Sequence, residues 1–396
     1  MRVLIASVSA YGHLQPLLPL AKALADAGHE VAIATGSDLR SRAEAAGFPA
    51  FDAGITPGAA FKLLAERYPD QEYNRLNPAE ILSWYLPHLF GEVLTPAMLG
   101  DLESLVQSWK PDIILHETWE FAGPIAAASA GIPSICQTLG LRMDDRILDS
   151  VATAVAPLWE QRGLKPDSTA GLYRSLCLDT TPHSFQHYES AQSRTVIHPL
   201  RPIAEPPVPG ELLPQWIKQR RNAPLVYMTL GTNSGTNSDV SMFRSVIDGL
   251  EGMDIDVLIT IGYGKHPATV GPLASNAHVE NYVPQSLLLP HCSAVICHGG
   301  PGTILNSLAQ GLPLLILPQG ADQYVMGDRV LEAGVGLRLV PADVNPASVQ
   351  KSVLALLEEP SYRAGAHRLK REIAAMPGPE EAVHLIEEIA TASNSH

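Results

Sequence analysis

The chain of 396 residues is 46% hydrophobic and 17% charged, which places it among globular proteins with length for two domains of about 200 residues each. A formal charge of -14 argues against a nucleic-acid polyanion or an anionic membrane as its main partner, and no run of about 18 apolar residues marks a membrane span. Four cysteines, Cys136, Cys177, Cys292 and Cys297, lack regular spacing, so they make no disulfide framework and fit a reducing cytoplasm.

The apolar run at the start is brief before Gly12-His13 and reads as a first strand, Arg2 to Val8, rather than a signal peptide. A helix from Gln15 to Ala27, stopped by Gly28, and a strand from Glu30 to Thr35 complete a strand-helix-strand unit. The pattern repeats with Asp112 to His116, Glu120 to Ala130 stopped by Gly131, and Ser134 to Thr138. Between these units lie Phe61, Tyr68, Tyr73, Trp84, Tyr85 and Phe90, which read either as ordinary helix packing or as an apolar ligand surface. The proline-rich stretch from His198 to Pro214 precludes a regular helix or central strand and marks a domain boundary.

Beyond it, Leu225 to Leu230, Asp256 to Ile261, Val279 to Tyr282, Ala294 to His298, Leu314 to Leu317 and Gly336 to Val340 alternate with helical stretches. Two doubly wound α/β domains follow, and in such sheets ligands sit beyond the carboxyl ends of the strands. The segment from Cys297 to Pro313, CHGGPGTILNSLAQGLP, is a strand end, a glycine loop and a helix closed by Gly311. A loop of this kind presents unpaired backbone N–H groups at the positive end of a helix, where a phosphate fits, and His298 stands in for the lysine of other phosphate loops. The plainer reading is a tight turn whose glycines only permit close packing.

On the same edge, Asp322-Gln323 offers donors and acceptors for a polyhydroxylated ring or simply caps a helix, and Thr229 to Asn233 ends a strand in small and hydroxyl residues. In the first domain, His13 near a helix N-terminus reads as a neutral base, and Glu117 past the end of another strand as the carboxylate that would orient it. The plainer reading of Glu117 is a helix-capping or solvated glutamate. Asp254-Ile255-Asp256 has the spacing of a metal-holding pair, yet it precedes its strand and reads as a solvated turn at the opposite edge. His291-Cys292 and Cys297-His298 are separated by a strand, which at about 3.3 Å per residue keeps them too far apart to share a zinc ion.

Gly12-His13-Leu14-Gln15-Pro16, Tyr282-Val283-Pro284-Gln285, His298-Gly299-Gly300-Pro301-Gly302-Thr303 and Asp322-Gln323 together resemble the inverting UDP-glycosyltransferase superfamily, and most of all its bacterial natural-product branch. The resemblance spans essentially the whole chain. It implies the GT-B fold, with two Rossmann-like domains facing across a cleft: residues 1–204 for the acceptor, 205–378 for the nucleotide sugar, and a C-terminal helix within 379–396 crossing back to the first domain. It implies that His298, Gly300, Gly302, Thr303 and Thr232 contact the donor diphosphate, Val283 the base through its backbone, and Asp322 with Gln323 the sugar. His13 would deprotonate the acceptor hydroxyl, with Glu117 standing where the family often has an aspartate.

The implied co-substrate is a dTDP- or UDP-sugar, with no other cofactor and no metal; the implied partners are that donor and a small-molecule acceptor, and a homodimer is compatible with the family. In UDP-sugar members a glutamate commonly follows eight residues after the phosphate histidine, where it holds the ribose diol. Here that position is Asn306, whose shorter, uncharged side chain points to a deoxyribose and so to dTDP. Two other readings stay open at this stage: a sugar-nucleotide epimerase of the same fold, and a two-domain small-ligand-binding protein without turnover.

Overall fold

The computed structural model describes residues 1–71, 76, 78–186, 196–208, 210–231, 240–262 and 265–393. They fall into two units, one drawn from Met1–Thr181, His187–Arg201 and Met376–His396, the other from Pro182–Gln186 and Pro202–Ala375.

The first unit is built on a parallel sheet of seven strands in the order β3-β2-β1-β4-β5-β6-β7. These are β1 (Arg2–Ala6), β2 (Glu30–Thr35), β3 (Ala50–Asp52), β4 (Ile113–Glu117), β5 (Ser134–Gln137), β6 (Leu176–Asp179) and β7 (Val196–Pro199). Strands β1, β2 and β4 contain the buried apolar runs Val3–Ala6, Val31–Ala34 and Ile113–Leu115, and were legible for that reason. The sequence reading lacks β3, β6 and β7. They are three or four residues long, and β7 ends at Pro199 on the sheet's edge, where a missing N–H leaves no ladder bond unmade.

The first helical segment also differs from expectation. It begins at Tyr11, with a turn over Tyr11–Leu14, a 3-10 turn over Gln15–Leu17 and the α-helix over Leu18–Asp26, so His13 lies inside the helical run rather than ahead of it.

The last helix, Pro379–Ser393, belongs to this first unit. Ala382, Val383 and Ile386 enter the same core as Leu17, Leu18 and Leu24, and His29 Nε2 lies 3.0 Å from Glu387 Oε1. Each fully buried aliphatic side chain of this kind contributes about 1.5–3 kcal/mol.

The second unit has six parallel strands in the order β10-β9-β8-β11-β12-β13. They are β8 (Leu225–Thr229), β9 (Asp256–Thr260), β10 (Ala277–Glu280), β11 (Ala294–Cys297), β12 (Leu314–Ile316) and β13 (Gly336–Arg338). Strand β10 lies two residues earlier than the sequence indicates, because its register pairs Ala277 with Val257 and Glu280 with Thr260. It is an edge strand with mixed polarity, and Trp216 stacks on its His278 with centroids 3.7 Å apart.

The predicted solvated turn at Asp254 and Asp256 is only half so. Asp254 is exposed, but Asp256 is 8% exposed and its carboxylate lies 3.3 Å from Arg221 Nε and 3.8 Å from Arg220 Nη1. The segment Pro182–Gln186, within the sequence-based first domain, clusters with the second unit: Ser184 N–H donates to Glu372 Oε1 at 2.9 Å, and Arg329 donates to the Phe185 carbonyl at 3.1 Å.

Candidate active site

Two groups of polar side chains lie at the carboxyl ends of the two sheets. In the first unit β4 ends in Glu117, fully buried, and the helical turn after β1 carries His13, 17% exposed at its side chain. His13 Nδ1 and Glu117 Oε1 are 2.9 Å apart, and Glu117 Oε2 accepts from the Trp119 N–H at 2.6 Å. One oxygen is thus anchored by backbone while the other faces the imidazole.

The His13 ring is walled by two aromatics: Phe90 lies roughly parallel to it at 6.1 Å and Trp119 meets it edge-on at 5.4 Å. Phe90 and Trp119 also touch each other, at 5.0 Å. Behind the pair, His116 is buried and burial pushes its imidazole down to about 4. Glu120 accepts from Ala122 N at 2.7 Å and Gly123 N at 2.8 Å, and burial pushes its carboxyl up to about 8 despite those bonds. The site therefore combines one imidazole–carboxylate pair with neutral or weakly acidic neighbours.

Of the other aromatics named from sequence, Tyr68 packs edge-on against Trp84 at 5.4 Å and His88 at 4.8 Å, and Phe61 meets Tyr85 at 6.2 Å. Tyr73 lies outside the described residues.

In the second unit the glycine loop leaves β11, and its helix runs over Pro301–Gln310, closed by Gly311 in the left-handed region at φ 75°. The His298 imidazole is slotted between two glycines: a Cβ on Gly231 would come 2.8 Å from its Cε1, and one on Gly300 would come 2.6 Å from its Nε2. Any side chain at either position would push the ring out. Desolvation lowers the His298 pKa to about 4, so the ring is neutral near pH 7, and its Nδ1 is buried with no hydrogen-bond partner.

A Cβ on Gly299 would meet the Gln323 carbonyl at 2.9 Å, so the glycine loop lies directly against the Asp322-Gln323 turn. In that turn Ala321 has φ 52°, a left-handed conformation costing about 1–2 kcal/mol, and Asp322 follows it. Asp322 stands at the helix N-cap position but its side chain makes no capping hydrogen bond, which removes the plain reading offered from sequence. Gln323 Oε1 accepts from Gln319 N at 2.8 Å and Gly320 N at 3.2 Å.

Val283 is buried just ahead of Gln285, whose Nε2 donates to Thr303 Oγ1 at 3.1 Å. Asn306 Nδ2 donates to Gln285 Oε1 at 3.0 Å. Contacts thus join His298 with Gly300 and the glycine loop with Gln323, and separately Thr303 and Asn306 with Gln285, two residues after Val283; Gly302 and Asp322 are adjacent to these groups in the chain. Thr232 lies outside the described residues. Sequence reasoning missed Trp119, Glu120 and the Gln285–Asn306 bond; for the last, the Pro284-Gln285 pair beside the recognised Val283 was the available signal.

The two units have the fold of GT-B glycosyltransferases. The glycosyltransferase VinC, solved in complex with dTDP, matches with a TM-score of 0.79 at 26% identity, covering 99% of this chain and 100% of that one. The chain belongs to the erythromycin biosynthesis protein CIII-like family: the N-terminal domain model matches residues 22–231 and the C-terminal one residues 244–389. Among its relatives, L-demethylnoviosyl transferase of Streptomyces niveus is 30% identical over 96% of each chain. The 3-alpha-mycarosylerythronolide B desosaminyl transferase of Saccharopolyspora erythraea is 27% identical over 98% of each. Relatives named for sugar transfer favour that activity over epimerisation or binding without turnover.

Proposed function

We propose that the chain is an inverting, metal-independent glycosyltransferase of the cytoplasm that moves a deoxysugar from a dTDP-linked donor to a hydroxyl of a small apolar or aromatic natural-product acceptor. The observation that carries the reading is the 2.9 Å contact between His13 and a fully buried Glu117, inside an aromatic wall. With Nδ1–H donated to Glu117, the lone pair on Nε2 is the basic end of the ring. As the acceptor oxygen attacks the anomeric carbon, its proton passes to Nε2 and the Glu117 carboxylate stabilises the imidazolium. The bond from the anomeric carbon to the phosphate oxygen breaks with its electron pair leaving on the diphosphate. His298, the Thr303 hydroxyl and the N–H groups opening the 301–310 helix would meet that charge, while Asp322 and the Gln323 amide NH2 would hold sugar hydroxyls. Attack opposite the leaving group inverts the anomeric centre.

Incubating the enzyme with dTDP-sugars and aglycones such as tylactone, 10-deoxymethynolide and aklavinone, each taken from the name of a relative's activity, tests this directly. Release of dTDP with an inverted anomeric signal by NMR, unchanged by EDTA, is the expected result. Retention of configuration, or loss of activity on chelation, would refute the mechanism.

The nucleotide preference rests on Asn306. Its amide nitrogen is engaged by Gln285, which leaves Oδ1 as an acceptor for one hydroxyl, matching the single 3′ hydroxyl of a deoxyribose. Competition binding should favour dTDP over UDP in the wild type and shift toward UDP in Asn306→Glu. Tighter UDP binding by the wild type would overturn the assignment.

A further inference from the structure

The helix that supplies Phe90 has an unusual register. Between the α-helices Pro78–Tyr85 and Thr95–Trp109 lies a nine-residue π-helical segment, Leu86–Leu94. Runs of this kind are rare and are found mostly as single turns at functional positions. Here the wide turn is fastened at its end: the Phe90 carbonyl receives both the Thr95 N–H and, at 2.7 Å, the Thr95 hydroxyl. A threonine on an α-helix bonds a carbonyl three or four residues back; this one reaches five back, which only the wider turn permits. Thr95 is 3% exposed, so the hydroxyl has no solvent role. On the same segment a Cβ on Gly91 would meet Ala154 Cβ at 3.0 Å, so the segment lies tight against the Asp145–Glu160 helix.

The residue held by Thr95 is the one whose ring lies over His13. A π turn is an α turn carrying one extra residue, and relaxing it would swing the side chains on one flank by about 100°, the angle per residue of an α-helix. Phe90 would then leave the imidazole. We propose that Thr95 is a positioning residue for the transfer reaction: its hydroxyl locks the π register, and the register fixes Phe90 as the wall against which His13 and the acceptor hydroxyl are aligned. This rests on the reading of His13 as the base.

The test uses the full chain labelled with 13C-histidine, with the His13 Cε1–H resonance assigned by its loss in His13→Ala. Phe90→Leu removes the Phe90 ring current, leaving that of Trp119, and sets the direction of the shift. Thr95→Val, which keeps the shape and loses the hydroxyl, is expected to move the His13 signal the same way, and Thr95→Ser, which keeps the hydroxyl, to restore it. With an accepted aglycone, Thr95→Val should also lower acceptor kcat/KM about 5-fold through KM, the size of one lost hydrogen bond, while donor KM stays unchanged. If Thr95→Val does not fold, Gly91→Ala, which pushes the segment off its neighbour, carries the same expectation for the signal. A His13 resonance unmoved in Thr95→Val, or moved equally in Thr95→Ser, overturns the inference. The signal is read without donor or acceptor, so a shifted resonance in an enzyme that transfers no sugar would count against the transferase reading alone.

Discussion

His13→Ala is expected to lower the transfer rate by about 10²–10⁴-fold, the contribution of a general base, while dTDP binding measured by calorimetry stays at the wild-type value. The separation follows from where the groups reside. His13 hangs from the turn after β1 in the first unit, and every described residue assigned to the nucleotide belongs to the second. Glu117→Gln should cost less, because the imidazole remains and one amide oxygen can still accept its Nδ1–H, although the amide cannot serve both the ring and the Trp119 N–H as the carboxylate does. Wild-type turnover in His13→Ala would remove the histidine from the chemistry, and parallel loss of dTDP binding would mean that the substitution damages more than the base.

The second large effect is expected at His298. In the proposed mechanism His298 meets a phosphate oxygen, and losing a hydrogen bond to a charged group should make His298→Ala weaken dTDP binding by about 1.5–3 kcal/mol, or roughly 10- to 150-fold, and leave thymidine binding nearly unchanged. Gly300→Ala should act in the same direction with the histidine still present, since its Cβ would sit 2.6 Å from Nε2 and force the ring from its slot. Titration calorimetry with both ligands reads the difference. Equal losses for nucleoside and nucleotide would show that His298 supports the pocket generally and does not address phosphate.

Most of the architecture was legible because central parallel strands are buried on both faces. Val3 to Ala6 and Ile113 to Leu115 appear as unbroken apolar runs, and the helices between strands end at glycines such as Gly131. The edge strands were not, because a three-residue Ala50–Asp52 or a strand ending in proline carries no pattern of its own. The glycine loop announced itself through local spacing. The slot that holds His298 did not, since its second wall, Gly231, comes from the end of another strand. Likewise His13 and Glu117 could be named as candidates, but Phe90 and Trp119 become their surroundings only when a π turn and the end of β4 converge. Asp256 was misread as solvated because a charge near a turn is usually exposed, whereas here two arginines accompany it into burial.

The last helix has a consequence for the order in which the molecule is made. Val383 and Ile386 complete a core whose other members, Leu17, Leu18 and Leu24 among them, leave the ribosome hundreds of residues earlier. Until residues 379–393 emerge, the flank of the helix over Leu18–Asp26 that they cover stays open to water, while its other apolar side chains pack on Val3, Ile5 and Ile33 of the sheet. The second unit, drawn almost wholly from one continuous stretch, has all its strands in hand before that moment. The unit that carries His13 is therefore closed by a segment that follows the whole of the second unit in sequence, whereas the second unit can complete its sheet from one nearly continuous stretch.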